Sequence, residues 1–135
     1  MKIGLLLFAH GARDPNWSLP FQAVLESVRI RAPGVPVALS YLEFMSPNLI
    51  DAAQALAAAG CTQVDVVPLF LGTGGHVRKD LPLLIDTLRT IHPQTTWIVR
   101  ASIGEAPGVI EAIADASLSG LSGHLPTYSG SVDPQ

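Results

Sequence analysis

The sequence predicts an α/β fold in which a four-stranded parallel sheet, ordered 2-1-3-4, is covered by helices on both faces. Four short apolar segments alternate along the chain with four segments of helical character. Right-handed crossovers between parallel strands leave few other arrangements for such an alternation. A ligand site is therefore expected beyond the carboxyl ends of the strands, where the strand order reverses.

Each predicted strand is a short run dominated by apolar residues. Residues 3–9 (IGLLLFA) are apolar throughout, which is typical of a central strand buried on both faces. Residues 64–71 are apolar apart from Asp65 and Pro68, and their β-branched content favours a strand over a helix. The other two strands are predicted at 36–42 and 96–101.

The predicted helices follow the strands in turn. Residues 18–31 place apolar side chains on one face, and residues 47–60 are rich in alanine, with proline in the first turn and glycine at the end. A third helix is predicted at 81–91, with residues 78–80 at its start, and a fourth at 107–118. Residues 1–118 are expected to form one α/β domain, and 119–135, rich in Gly, Ser, Pro and Thr, a flexible tail.

Composition narrows the classes of function. The chain of 135 residues is 48% hydrophobic and only 14% charged, which leaves room for a self-association surface and favours a dimer. A net charge of -3, without a basic stripe interleaved with aromatic residues, argues against nucleic acid as a partner. The single cysteine, Cys61, excludes an internal disulfide and a cysteine-based zinc site.

Hydropathy along the chain argues against a membrane partner. No apolar run approaches the roughly 18 residues of a membrane span, and the amino-terminal stretch lacks the features of a signal peptide. A cytoplasmic protein is expected.

Three residues with metal-binding side chains occur where predicted strands end. His10, Glu43 and His76 follow the first, second and third strands, and successive members are 33 residues apart. Because strands 2 and 3 flank strand 1 in the predicted order, the three side chains are expected to converge above one edge of the sheet. Two imidazoles and a carboxylate suit a divalent first-row metal ion.

A glycine-rich segment precedes His76. Gly72, Gly74 and Gly75 permit backbone conformations that other residues resist, so we expect a sharp turn whose amides approach a ligand closely. Arg78 adds a cation just beyond the histidine.

Other candidate residues have simpler explanations. A lone histidine after a strand often only caps a helix, but the repetition at His76 favours a site that includes His10. His92 stands at a predicted helix end, where a structural role is expected. Trp17 and Phe44 suit ordinary packing, and aromatic rings beside the site could equally contact a flat ligand.

Three segments resemble one protein family. LLLFAHGARDP, YLEFMSP and VVPLFLGTGGHVRKDLP occur in the order and spacing of the class II chelatases, specifically the small CbiX-type sirohydrochlorin chelatases. The resemblance covers most of residues 3–85 and implies a flavodoxin-like chelatase half. One departure is Ala12, where the family often has serine.

The resemblance implies a role for each matching residue. It implies that His10 and His76 bind the metal and that Glu43 assists at the same centre. It further implies a pocket for a tetrapyrrole. The carboxylates of the tetrapyrrole could pair with cations of the protein. The implied pocket residues are Ser46, Leu71, Gly72, Thr73, Gly74 and Gly75, and the cations are Arg13, Arg78 and Lys79.

The resemblance also implies a reaction and a partner. The reaction is insertion of a divalent metal, preferably cobalt, into sirohydrochlorin in cobalamin biosynthesis, with iron and nickel as alternatives and no permanently bound cofactor. Two-lobed members are about twice as long, which implies a homodimer here.

Two other classes of function remain open at this point. One is a carrier of metal or tetrapyrrole that uses the same site without catalysis. A phosphotransfer enzyme of the phosphoglycerate mutase kind is disfavoured, because such enzymes need arginine immediately before the histidine and Ala9 stands there.

Overall fold

A computed structural model describes residues 1–128 and 130, apart from the side chain of His76. Its four strands form one parallel sheet in the order β2-β1-β3-β4, which confirms the predicted order. The strands are β1 Ile3–Ala9, β2 Val37–Tyr41, β3 Gln63–Pro68 and β4 Thr96–Val99. The third and fourth strands are shorter than predicted, since they end at Pro68 and Val99 rather than at residues 71 and 101, and β2 lacks one residue at each end of the predicted 36–42.

Strand β1 is the centre of the sheet because it pairs on both sides. Leu7 lies opposite Leu39 of β2 and opposite Val67 of β3. These registers bring the carboxyl ends of the three strands to one edge.

Helices connect the strands as predicted, although the second helix is shorter than the predicted 47–60 and the third is longer than the predicted 81–91. They are α1 Leu19–Arg31, α2 Leu49–Ala58, α3 Gly75–Ile91 and α4 Pro107–Ser119, and 3₁₀ turns occur at Pro15–Ser18, Ile103–Glu105 and Gly120–Ser122. Helix α3 begins earlier than predicted because Gly74 adopts an extended conformation, and its carbonyl accepts a hydrogen bond from the Arg78 amide. His76 therefore lies in the first turn of a helix, not in a loop.

Two apolar layers enclose the sheet. One contains Phe8 and Val66 from the strands, packed against Leu49 of α2 and Ile85 of α3. The smaller layer contains Leu7, Ala9, Leu39 and Tyr41, with Trp17, Phe21 and Leu25 packed against it from the α1 side.

Helix α4 differs from the others because none of its residues belongs to either apolar layer. Helix α1 also has no fully buried residue, but its Phe21 and Leu25 pack against the smaller layer. The main contacts of α4 are with the two 3₁₀ turns beside it. Ile110, Ile113 and Leu118 are exposed by 53%, 43% and 64%. The tail predicted at 119–135 extends past the described part of the chain, because Ser129 and 131–135 lie outside it.

Within residues 1–128, no helix is both long and apolar enough to cross a membrane.

Candidate functional site

His10 and Glu43 meet at the carboxyl edge of the sheet. The Glu43 amide donates to the His10 carbonyl at 3.1 Å, so the pairing of β1 with β2 continues past the strand ends. The side chains then meet, with His10 Nε2 3.0 Å from Glu43 Oε1. Each remains open to solvent, with exposed fractions of 44% and 41%, so a ligand can reach both.

Gly11 permits this approach. Its φ is +91°, and a Cβ at this position would overlap the carbonyl oxygen of Glu43. The same carbonyl accepts a hydrogen bond from the Met45 amide at 2.8 Å. Sequence reasoning missed Gly11, although a glycine directly after a strand-end histidine was a usable signal.

The His10 ring also has an aromatic neighbour. Phe70 lies edge-on to it, with ring centroids 6.4 Å apart. Phe70 packs in turn against Phe8 at 5.9 Å. The loop after β3 therefore helps to hold the imidazole.

His76 lies in the first turn of α3, but its side chain is outside the described part of the structure. Among the side chains that are described, no group of three or more His, Cys, Asp or Glu residues could hold a metal ion. The structure thus brings together two of the three predicted ligands, and the three-residue site stays a prediction.

The glycines before His76 do not make the turn that was expected of them. Gly72, Gly74 and Gly75 have no left-handed φ, and a Cβ at each would meet open space. The fold therefore does not require glycine at these positions, and the prediction of a turn that needs their freedom is wrong. Open space beside them leaves room for a ligand.

A segment after β4 anchors this loop. The hydroxyls of Thr73 and Ser102 are hydrogen-bonded, and the Gly104 amide donates to the Phe70 carbonyl at 2.9 Å. A Cβ on Gly104 would overlap the backbone of Leu71, a residue that is 71% exposed. Sequence reasoning missed Ser102 and Gly104, although both follow a strand that ends at the same edge.

The remaining predicted pocket residues lie in the loops after β1, β2 and β3 and in the first turn of α3. Ser46 is exposed in the loop after β2, where it precedes a cis Pro47. Arg13 is exposed in the loop after β1. Arg78 and Thr73 line a cavity of about 260 Å³ between α3 and the end of β4, which neither His10 nor Glu43 lines.

His92 is well separated from these residues. It follows the last residue of α3, at the opposite end of the helix from His76. Its ring lies against Trp97, with centroids 6.0 Å apart. This placement fits the structural role that was expected.

The family model named CbiX matches residues 4–118 of the chain. The chain belongs to the CbiX family. That membership confirms the resemblance drawn from the three sequence segments.

Two relatives of this CbiX chain have names that specify a reaction. It is 33% identical over 84 residues to a sirohydrochlorin cobaltochelatase of Methanothermobacter thermautotrophicus, covering 62% of the chain and 58% of the relative. It is 32% identical over 117 residues to a sirohydrochlorin ferrochelatase of Bacillus subtilis, covering 86% of the chain and 43% of the relative. The chain thus spans about half the length of these two relatives.

Two solved structures share the fold of this CbiX chain. A CbiX protein of Marinobacter aquaeolei superposes with a TM-score of 0.79 at 32% identity, covering 89% of this chain and 98% of that one. The sirohydrochlorin chelatase SirB of Bacillus subtilis subspecies spizizenii, in complex with cobalt, gives 0.77 at 26%, covering 88% of this chain and 51% of that one.

Proposed function

We propose that this CbiX-family protein inserts a divalent metal ion, cobalt in preference to iron or nickel, into sirohydrochlorin in cobalamin biosynthesis. The observation that carries the proposal is the exposed His10–Glu43 pair at the edge of the sheet, 3.0 Å apart, in a chain of this family. The metal is a substrate of the reaction, and we propose no resident cofactor.

In this proposal His10 and His76 bind the incoming metal ion. Neutral imidazole is a common ligand of first-row metals and leaves coordination positions open for pyrrole nitrogens. In the metal-free protein, the tautomer of His10 that carries its proton on Nε2 donates a hydrogen bond to Glu43 Oε1. A metal ion and a proton cannot occupy Nε2 together. Metal binding there would therefore free the Glu43 carboxylate from its partner.

The freed carboxylate supplies the second part of the mechanism. Insertion of one divalent ion exchanges its bonds to the histidines for bonds to the four ring nitrogens. Two of these nitrogens lose their hydrogens, so two protons are released. Glu43 accepts one of these protons and passes it to solvent, to which its side chain is 41% exposed. It can then accept the second.

Sirohydrochlorin would lie across the carboxyl edge of the sheet. Its carboxylates attract guanidinium groups, and Arg13 and Arg78 are both exposed there. Open space at Gly72, Gly74 and Gly75 would let the macrocycle approach the backbone closely. Ser46, Leu71 and Thr73 complete the proposed pocket.

We further propose that the protein works as a homodimer. A helix of 13 residues is marginal in water unless it packs an apolar face, and no residue of α4 belongs to either apolar layer of the single chain. A second copy of the chain would cover it. The 51% coverage of SirB supports the same idea, since two such chains match the length of one SirB chain.

An anaerobic absorbance assay tests the proposed reaction. Purified protein is mixed with sirohydrochlorin and, separately, Co²⁺, Fe²⁺ or Ni²⁺, with a protein-free sample at each metal concentration. We expect conversion of many equivalents of tetrapyrrole per protein, fastest with cobalt. Spectral change that stops at one equivalent would indicate a carrier and contradict catalysis. A faster rate with iron or nickel would correct the metal alone.

A further inference from the structure

Phe44 has an unusual backbone conformation directly beside the candidate site. Its φ is +64°, in the left-handed region that bulky residues seldom adopt. It follows Glu43, whose side chain contacts His10. A residue held in such a conformation next to a site points to a functional role for its side chain.

Packing does not account for phenylalanine at this position. Phe44 is 56% exposed, so it buries little apolar surface to offset its unfavourable φ. Trp17, an aromatic residue in the 3₁₀ turn after β1, is different. It stacks on Phe21 with ring centroids 4.5 Å apart and belongs to the apolar layer on the α1 side.

Phe44 has a cation on its ring. The guanidinium carbon of Arg13 lies 4.8 Å from the ring centroid. This contact uses the π-system of the ring and none of the five N–H donors of the guanidinium group. It joins the loop after β1 to the loop after β2, on the two sides of the His10–Glu43 pair.

We propose that Phe44 and Arg13 form a platform that orients the tetrapyrrole over the metal site. The inference rests on the proposed function. Phe44 presents an exposed aromatic ring to the conjugated macrocycle, and Arg13 donates hydrogen bonds to one of its peripheral carboxylates. Phe44 is thereby a substrate-positioning residue, which neither the family match nor the named relatives assign.

The test is an anaerobic titration of the protein with metal-free sirohydrochlorin, followed by absorbance. Phe44→Gly should raise Kd on the order of tenfold, as expected for loss of one aromatic stacking contact. It should also leave Tm unchanged or raise it, because glycine accepts the left-handed φ. Phe44→Trp should bind like the wild type.

Two further variants complete the experiment. Arg13→Met should raise Kd and weaken its dependence on NaCl concentration, since a charge pair is lost. Val35→Gly removes another exposed apolar side chain, in the loop at the amino end of β2, and should leave Kd unchanged.

The outcomes separate this proposal from the proposed function. Wild-type Kd in Phe44→Gly would overturn the platform and leave the enzyme untouched. A raised Kd that accompanies dissociation of a dimer, measured by light scattering, would also overturn it, because Phe44 would then contact the second copy. Binding that depends on Phe44 without any turnover would support the platform and contradict the chelatase.

Discussion

Gly11 and Glu43 lie so close together that no side chain fits between them. The space that a Cβ on Gly11 would occupy is filled by the Glu43 carbonyl oxygen, and Gly11 also has a φ of +91°. This contact locks the two loops that carry His10 and Glu43, and it holds the imidazole against the carboxylate at 3.0 Å.

Gly11→Ala should therefore damage both the fold and the site. We expect a loss of roughly 2–4 kcal/mol in the free energy of unfolding, from the unfavourable φ and the steric overlap. Gly34→Ala is the matched control, because a Cβ there meets open space and no left-handed φ is required. Urea unfolding of both variants measures the difference, and equal stability would contradict the close approach.

Removal of either proposed histidine ligand should abolish metal insertion without unfolding the domain. His10→Ala and His76→Ala are expected to lose at least about 100-fold in kcat/KM, since each removes a first-row metal ligand. His92→Ala, at the far end of α3, should keep its activity. Initial rates from the absorbance assay and far-UV circular dichroism test these variants. A loss of activity in His92→Ala alone would place the site elsewhere.

Gly75→Ala should separate stability from substrate binding. Gly75 begins α3 and has open space beside it, so alanine should stabilise the helix by up to about 1 kcal/mol. The added methyl group lies in the proposed pocket and should raise KM for sirohydrochlorin. Gly108→Ala, also in the first turn of a helix with open space, should give a similar stability gain with unchanged KM. An unchanged KM in Gly75→Ala as well would argue against close approach of the macrocycle.

Asp65 makes the free energy of unfolding depend on pH. Burial raises the pKa of its carboxyl, but hydrogen bonds from Arg100 and Gln63 and the charge of Arg100 outweigh burial, so the pKa is lower than usual. The Arg100 guanidinium reaches the carboxylate at 2.5 Å. A lowered pKa in the folded state means that this stabilisation is complete above the ordinary pKa of 3.8 and is lost as pH falls below it.

Asp65→Asn should accordingly cost about 1 kcal/mol at pH 7 and progressively less below pH 4. The measurement is the difference in free energy of unfolding between wild type and variant from pH 7 to pH 3. A difference that stays constant over this range would contradict the ion pair.

Charges on α4 should disrupt the proposed dimer. Ile113 is 43% exposed in the single chain, and Ile113→Glu would place a carboxylate in the surface that a second copy would cover. Light scattering coupled to gel filtration should show a monomer. Leu83→Glu, at an exposed position of α3, should remain dimeric. If the Ile113→Glu variant remained dimeric, the dimer interface would have to lie elsewhere than on α4.

Local patterns in the sequence were sufficient to predict the sheet and the edge at which the site lies. Apolar runs such as IGLLLFA identify buried strands, and the alternation with helices restricts the strand order. That order places His10 and Glu43 at the ends of neighbouring strands. The first residue of α3 was harder to predict from the sequence. The helical spacing of apolar residues begins only at Leu81, and residue type alone does not show the capping conformation of Gly74.

Contacts between distant segments were decided only by the tertiary structure. The overlap of Gly11 with Glu43, the left-handed Phe44 under Arg13 and the anchoring of Thr73 by Ser102 each join residues from different loops. Their geometry depends on how the whole sheet twists and packs, so no local pattern encodes it. By itself, the sequence determined which side chains reach the edge of the sheet. Apolar periodicity is a property of neighbouring residues, and the strand order follows from the alternation of strands and helices along the chain. The distances between those side chains, and the conformations that hold them, arise from long-range packing.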